Sequence, residues 1–160
     1  MKALTLIQPW SWAIAHAGKR VENRTWAPPA SVIGQRVAIH AGKKLDDDGC
    51  ITVGLRLMGQ PLDLPNDDAF VHGAVESVAT ISIAVHFSEG YDIIANHGVT
   101  EGELDAAFAS PWRVPGMWSW VLTDVVALPK PVLCRGAQGL WILPEDVERA
   151  VLAQVGGGHG

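Results

Sequence analysis

Strand-like segments outnumber helical ones in this sequence, and the two kinds do not alternate regularly. The clearest strand runs from Gly73 to Phe87, where apolar and polar residues alternate between Val78 and Val85. A second long strand is predicted from Met117 to Leu128, ended by Pro129 and Pro131. A doubly wound sheet needs a helix after nearly every strand. The irregular order therefore favours the α+β class, as a small mixed β-barrel of about six strands with two or three short helices.

The remaining predicted elements are shorter. Extended, apolar-rich segments occur at 2–7, 20–26, 36–40 and 139–143. Pro9 and Gly18 are placed to begin and end a helix over Trp10 to Ala17. Pro144 opens a C-terminal helix, and weaker helical patterns lie at 45–58 and 101–108.

Length and composition restrict the class of protein. A chain of 160 residues favours one domain, predicted over 1–155, followed by a flexible glycine-rich tail at 156–160. The apolar runs are too short to span a membrane. Cys50 and Cys134 lack the C-x-x-C spacing of zinc sites, and no phosphate-cradling glycine motif occurs. We therefore expect a cytoplasmic protein with no metal and no cofactor.

Charge is distributed unevenly along the chain. The net charge is −5, which alone argues against a general nucleic-acid binder. Residues 1–44, however, hold seven basic residues and one acidic residue, whereas 45–160 hold five basic and sixteen acidic ones. One cationic face on an acidic protein is one interpretation. Charge pairing between the two parts of the surface is the other.

Basic, acidic and aromatic side chains are concentrated near the N-terminus. On a strand, alternate residues share a face, so Glu22 lies between Arg20 and Arg24. Guanidinium groups recognise phosphate oxygens and planar base edges. Trp10 and Trp12 precede this segment, and indole rings beside cations are typical of nucleobase stacking. A ladder of ion pairs on a solvated strand is the alternative interpretation.

Two motifs lie in this region, L-x-x-I-Q-P-W-S-W at 4–12 and A-G-K-R-V-E-N-R-T-W at 17–26. They resemble the ASCH family (activating signal cointegrator homology domain), a branch of the PUA-like superfamily of small RNA-associated barrels. Lys19, Glu22 and Arg24 match the family's G-x-K-x-x-E-x-R signature, whereas Ala17 stands in its glycine position. Segments at 37–43, 73–78, 116–125 and 139–141 are also similar, so the resemblance covers roughly residues 3–143.

The resemblance implies a PUA-like barrel whose cleft binds single-stranded RNA or a modified nucleobase. Lys19 and Arg24 are expected to contact phosphate or base edges, with Glu22 orienting them. Trp120, in the family-like W-V-L-T-D sequence, is expected to form a wall of the cleft. The full set of expected ligand-binding residues is Trp10, Trp12, Lys19, Arg20, Glu22, Arg24, His40, Lys43 and Trp120.

A hydrolase acting on a modified nucleoside or on RNA is the first alternative. Some ASCH relatives are acetylcytidine amidohydrolases and are similar to this chain at Lys19 and Glu76, but their threonine nucleophile is replaced here by Glu22. A glutamate does not replace an activated hydroxyl, and Thr25 lies out of register. Lys19, Glu22 and Glu76 would be the catalytic residues of such an enzyme. The second alternative is a protein-interaction module that uses the acidic part at 45–160.

Two further features have a structural and a functional interpretation. The run Asp46 to Asp48 supplies carboxylates for metal-assisted cleavage, but it is more typical of a solvated helix start. His40 follows an apolar strand beside the basic cluster, where it serves either as a proton donor or acceptor in the cleft or as a structural imidazole. Both interpretations of each feature are kept open.

Overall fold

Seven β-strands and four α-helices form the fold in the computed structural model of the chain, which describes residues 1–156. The strands are β1 (Lys2–Gln8), β2 (Val21–Arg24), β3 (Arg36–Leu45), β4 (Ala74–Phe87), β5 (Tyr91–Ile94), β6 (Trp118–Leu133) and β7 (Leu140–Ile142). The helices are α1 (Trp10–His16), α2 (Asp47–Leu57), α3 (Glu101–Ala109) and α4 (Glu145–Val155). Two short 3-10 turns lie at Ala30–Val32 and Asp67–Ala69.

The strands form one mixed sheet. Its order is β2-β6-β4-β3-β1-β7, and β5 pairs with β4. β1 is parallel to β3 and antiparallel to β7, and β2 is antiparallel to β6. The predicted α+β class is therefore confirmed. β5, short and largely exposed, is the strand that the sequence analysis did not predict.

The described chain forms two compact units. Unit 1 comprises residues 1–18, 37–78 and the chain from 126 onward; unit 2 comprises Lys19–Arg36 and Ala79–Val125. In unit 1, apolar side chains from β1, β3, β4, β6 and α4 form a buried cluster. A single domain over 1–155 stays a prediction. The glycine-rich tail predicted at 156–160 lies, apart from Gly156, outside the described residues.

β6 is longer than the sequence indicated. Pro129 and Pro131 were expected to end it near Leu128, yet the strand continues to Leu133. Between the prolines, the Lys130 N–H donates to Gln154 Oε1 (2.9 Å), and Gln154 Nε2 donates to the Lys130 carbonyl (2.8 Å). A side chain of α4 thus satisfies both backbone groups of Lys130, the residue between the two prolines.

Helix starts follow from local capping. Asp46 accepts a hydrogen bond from the Gly49 N–H at 2.9 Å and caps α2. Thr100 and Glu103 form a reciprocal capping box at α3. The structural interpretation of the Asp46–Asp48 run as a helix start is therefore confirmed. Among the helices of residues 1–156, none has the length and apolar character needed to cross a membrane.

Candidate ligand-binding site

The pairing of β2 with β6 places charged and aromatic residues on one face of unit 2. Glu22 lies opposite Trp120, and Arg24 lies opposite Trp118. Directly opposed residues of an antiparallel pair project from the same face of the sheet. The alternating pattern of both strands therefore forms one row of charges beside one row of indoles.

Lys19, Glu22 and Arg24 are in direct contact, and we call them the charge row. Lys19 Nζ donates to Glu22 Oε2 and to the Val21 carbonyl, both at 2.6 Å. Arg24 Nε lies 3.2 Å from Glu22 Oε1, so that each carboxylate oxygen faces a cation. The exposed fractions of the side chains are 2% for Lys19, 8% for Glu22 and 22% for Arg24. The row is thus largely buried, and the interpretation as a ladder on a solvated strand does not hold.

Exposure differs along the row. Arg24 is the member most open to solvent, whereas the buried Lys19 ammonium donates to the Val21 carbonyl and to Glu22. Burying a charge is costly unless it is paired and hydrogen-bonded, as it is here. Lys19 therefore positions the carboxylate, and Arg24 is the cation of the row with the larger exposed fraction.

Trp26 is the accessible indole beside the row. Its ring meets that of Trp120 edge-on, with centroids 4.8 Å apart and an interplanar angle of 88°. Trp120 Nε1 also donates to the Trp26 carbonyl at 3.3 Å. Trp120 has no exposed surface, whereas Trp26 is 36% exposed. Trp120 therefore supports Trp26, which is not among the expected ligand-binding residues. The expected role of Trp120 as a wall of the cleft stays a prediction.

The face also includes a second, partly exposed indole. Trp118 is half-buried and packs at a tilt against the His86 ring, with centroids 5.5 Å apart.

On the opposite face, Asn23 Nδ2 donates to the Trp112 carbonyl and Asn23 Oδ1 accepts from the Val114 N–H, both at 2.8 Å. Asn23 thereby fixes the loop that precedes β6. The E-N-R sequence gave no signal for this anchoring role.

Arg20 is exposed and lies just before β2. Its Nη1 donates to the Lys19 carbonyl at 3.1 Å. The side chain therefore places positive charge at the start of the charge row. Its role in ligand binding stays a prediction.

Glu76 belongs to unit 1, where it is buried among polar side chains. Its Oε2 accepts from Ser11 Oγ at 2.8 Å and from Gln8 Nε2 at 3.2 Å. His16 Nε2 lies 3.8 Å from Oε1. Gln8 in turn accepts from the Trp12 N–H at 3.0 Å. The carboxylate thus holds the start of α1, and a catalytic role for Glu76 stays a prediction.

The two tryptophans of α1 also lie in unit 1. Trp12 is 7% exposed and packs edge-on against Phe70, with centroids 6.3 Å apart. Trp10 is half-buried, and its Nε1 donates to Asp46 Oδ2 at 3.0 Å. Trp12 therefore has the surroundings of a core residue, and Trp10 joins α1 to the start of α2. Their predicted stacking on a ligand is not tested by these contacts.

His40 and Lys43 lie on β3 in unit 1 and line the same cleft of about 360 Å³. His40 is 2% exposed; its Nδ1 lies 3.3 Å from Thr5 Oγ1 and its Nε2 3.0 Å from the Cys134 carbonyl oxygen. Burial lowers the pKa of His40, against the hydrogen bond to the Cys134 carbonyl, which raises it. Lys43 is exposed at the rim. In residues 1–156, no cluster of three His, Cys, Asp or Glu side chains is arranged to hold a metal ion.

The contacts bring together Lys19, Glu22, Arg24 and Trp120 in unit 2, and separately His40 and Lys43 in unit 1. The parity of a β-strand predicts which residues share a face. It does not predict how deep each side chain lies, so the exposure of Trp26 and the burial of Trp120 were not predictable from the sequence. The charge row with Trp26 and Trp118 is the candidate ligand-binding surface of unit 2.

The comparisons with known proteins agree with the resemblance. The ASCH domain family model matches residues 4–101. Crystal structures of two single-substitution variants of the ASCH protein of Zymomonas mobilis are similar to the chain at a TM-score of 0.50 and 15% identity. Each alignment covers 95% of this chain, and 94% and 96% of the two variants. No curated protein matches the chain. The fold is therefore that of the ASCH structures, and the chain belongs to the ASCH domain family.

Proposed function

We propose that this chain binds single-stranded RNA or a nucleobase-containing ligand on the face of unit 2 that carries the charge row and Trp26. The observation that carries this proposal is the buried contact of Lys19, Glu22 and Arg24 beside an accessible indole. A ligand with both a phosphate and a flat aromatic ring matches this combination of groups.

Arg24 supplies the recognition of an anion or a base edge. Its guanidinium carries several N–H donors in a fixed plane. The contact with Glu22 restricts the orientation of that plane, so less side-chain entropy is lost when a ligand binds. Lys19 acts through Glu22, because its ammonium is enclosed by the Val21 carbonyl and the carboxylate.

Trp26 supplies the stacking surface. The edge-on contact with the buried Trp120 ring holds Trp26 in place. Stacking of one base on an aromatic side chain contributes about 1–3 kcal/mol. With one stacked base and few cations, we expect modest affinity and a shallow dependence on salt.

The test is a titration with short single-stranded RNA and with modified nucleosides, followed by tryptophan fluorescence. Trp26→Ala is expected to weaken binding by roughly tenfold, which corresponds to about 1.4 kcal/mol, while Trp26→Phe keeps most of the affinity. Arg24→Gln is expected to weaken binding similarly. Arg36→Gln is the matched control, since Arg36 is an exposed arginine of the same unit outside the charge row.

If Arg24→Gln and Arg36→Gln lose the same affinity, the effect is one of net charge and the proposal is overturned. The proposal is also overturned if the unaltered chain does not bind these ligands. The same mixtures, with and without a chelator, are analysed for cleaved RNA or altered nucleoside. Turnover that Glu22→Gln abolishes would favour the hydrolase alternative. Binding without turnover supports the proposed function.

A further inference from the structure

A separate cleft in unit 1 has the features of an anion-binding site. It encloses about 360 Å³ and lies where β1 and β3 meet the segment that follows β6. This volume falls in the range of small-molecule sites, roughly 300–1,000 Å³. None of the charge-row residues lines the cleft. A ligand in this cleft would therefore bind without contact to the charge row.

The charges at the cleft are all positive. Lys43 and Arg135 line it, and none of its ten lining residues, all within the described part of the chain, carries a carboxylate. Neither cation has an ion-pair partner among residues 1–156. Two cations on an otherwise acidic chain favour a ligand with two negative charges. Arginine also matches the geometry of phosphate oxygens with paired N–H donors.

The floor of the cleft is a directed chain of hydrogen bonds. The parallel pairing of β1 with β3 sets Thr5 opposite His40. Trp141 Nε1 donates to Thr5 Oγ1 at 3.0 Å, and Thr5 Oγ1 lies 3.3 Å from His40 Nδ1. His40 Nε2 lies 3.0 Å from the Cys134 carbonyl, which only accepts, so Nε2 carries the hydrogen and Nδ1 is the acceptor of the neutral ring.

Two glycines let the backbone lie close to this floor. A Cβ atom on Gly136 would lie 2.5 Å from His40 Cε1 and 2.9 Å from Thr5 Oγ1. A Cβ on Gly42 would lie 3.2 Å from Thr5 Cγ2. Side chains at these positions would displace the floor. The floor of the cleft is thus formed by strand register and close backbone packing, and the exposed side chains of Lys43 and Arg135 line the cleft beside it.

We propose that this cleft binds a phosphate monoester with an attached organic group, of the class of nucleoside monophosphates. Lys43 and Arg135 contact the phosphoryl oxygens, and the organic group lies over the floor formed by Thr5 and His40. Inorganic phosphate would fill only part of the 360 Å³, which is why an organic group is included.

The test uses the full chain with four probes, adenosine 5′-monophosphate, ribose 5-phosphate, adenosine and inorganic phosphate, in calorimetric titrations. At least one of the two phosphorylated organic probes is expected to bind at least tenfold more tightly than adenosine and than inorganic phosphate. Lys43→Gln and Arg135→Gln are each expected to weaken that binding about tenfold. Lys44→Gln is the matched control, because Lys44 is the adjacent exposed lysine and does not line the cleft.

Three results would overturn this inference: no binding of either phosphorylated organic probe, equal binding of the phosphorylated probe and of adenosine or inorganic phosphate, or an equal loss in Lys43→Gln and Lys44→Gln. Unchanged melting temperatures of the ligand-free variants confirm that they fold. Arg24→Gln is expected to retain this binding, since Arg24 belongs to the charge row of unit 2. A loss of ligand binding in the unit 1 cleft and a loss of RNA binding on the unit 2 face are therefore distinguishable.

Discussion

Glu22→Gln tests whether the charge row depends on its carboxylate. The substitution keeps the shape of the side chain but removes the negative charge beside Lys19, whose Nζ is 2.6 Å from Glu22 Oε2 and whose side chain is 2% exposed. Removing one partner of a buried ion pair costs about 3–5 kcal/mol. Because the glutamine oxygen can still accept a hydrogen bond, we expect the free energy of unfolding to fall by about 3 kcal/mol.

Lys19→Met removes the other member of the buried ion pair. Lys19→Met leaves Glu22 with Arg24 at 3.2 Å, so we expect a smaller loss of about 1–2 kcal/mol. The double variant contains no buried ammonium without a counter-charge. It is therefore expected to be more stable than Glu22→Gln alone, with a coupling free energy of about 1–3 kcal/mol.

The assay is urea denaturation of the unaltered chain, both single variants and the double variant. In a chain of this size about 1 kcal/mol shifts the melting temperature by about 2–4 °C, so Glu22→Gln is expected to melt about 6–12 °C lower. Glu145→Gln is the control, since its pair with Arg149 is exposed and worth less than about 1 kcal/mol. Additive single effects, or a Glu22→Gln effect no larger than that of the control, would refute the reasoning.

Three further predictions concern unit 1. Burial lowers the pKa of His40 in the folded chain, so as the pH falls the unfolded chain binds a proton at His40 before the folded chain does. The contribution of His40 to the free energy of unfolding therefore decreases as the pH drops below about 6.5, the ordinary pKa of histidine, and stays constant below the folded pKa. His40→Gln should remove this part of the pH dependence of the free energy of unfolding. An identical pH dependence in the variant and the unaltered chain would contradict the prediction. Gly136→Ala is expected to lower the free energy of unfolding by about 1–3 kcal/mol, because the added Cβ would meet His40. Gly54→Ala, in open space on α2, is expected to raise it by up to about 1 kcal/mol. Changes of the same sign in the two variants, measured by denaturation, would contradict the prediction. Asp46→Ala is expected to cost about 1–2 kcal/mol, because it removes both the cap of α2 and the acceptor of the Trp10 indole N–H. A similar loss in the exposed Asp47→Ala would contradict that assignment.

Local signals in the sequence were sufficient to predict much of the fold. The alternation from Val78 to Val85 predicted β4, and Pro9 predicted the start of α1, because side-chain parity and proline geometry act within a few residues. The end of β6 was not predictable in this way. The partner of the Lys130 backbone, between the two prolines, is Gln154, which is distant in sequence and leaves no local signal.

The candidate site shows the same division. The spacing of Lys19, Glu22 and Arg24 predicted a charged segment, and their contacts agree with it. The burial of Trp120 in contact with Trp26 depends on tertiary packing, and the alternation of side chains along a strand does not predict it. The contact of Thr5 with His40 depends on a parallel register between β1 and β3 that no local pattern encodes.

The most direct test of the central claim is a heteronuclear NMR titration with short single-stranded RNA. The chain has seven tryptophans, and assignment of the indole Nε1–H and arginine Nε–H signals separates the candidate surfaces. We predict that the signals of Trp26 and Arg24 shift most, while that of Trp141 beneath the unit 1 cleft stays unchanged. RNA-dependent shifts confined to other residues, with Trp26 and Arg24 unmoved, would contradict the account.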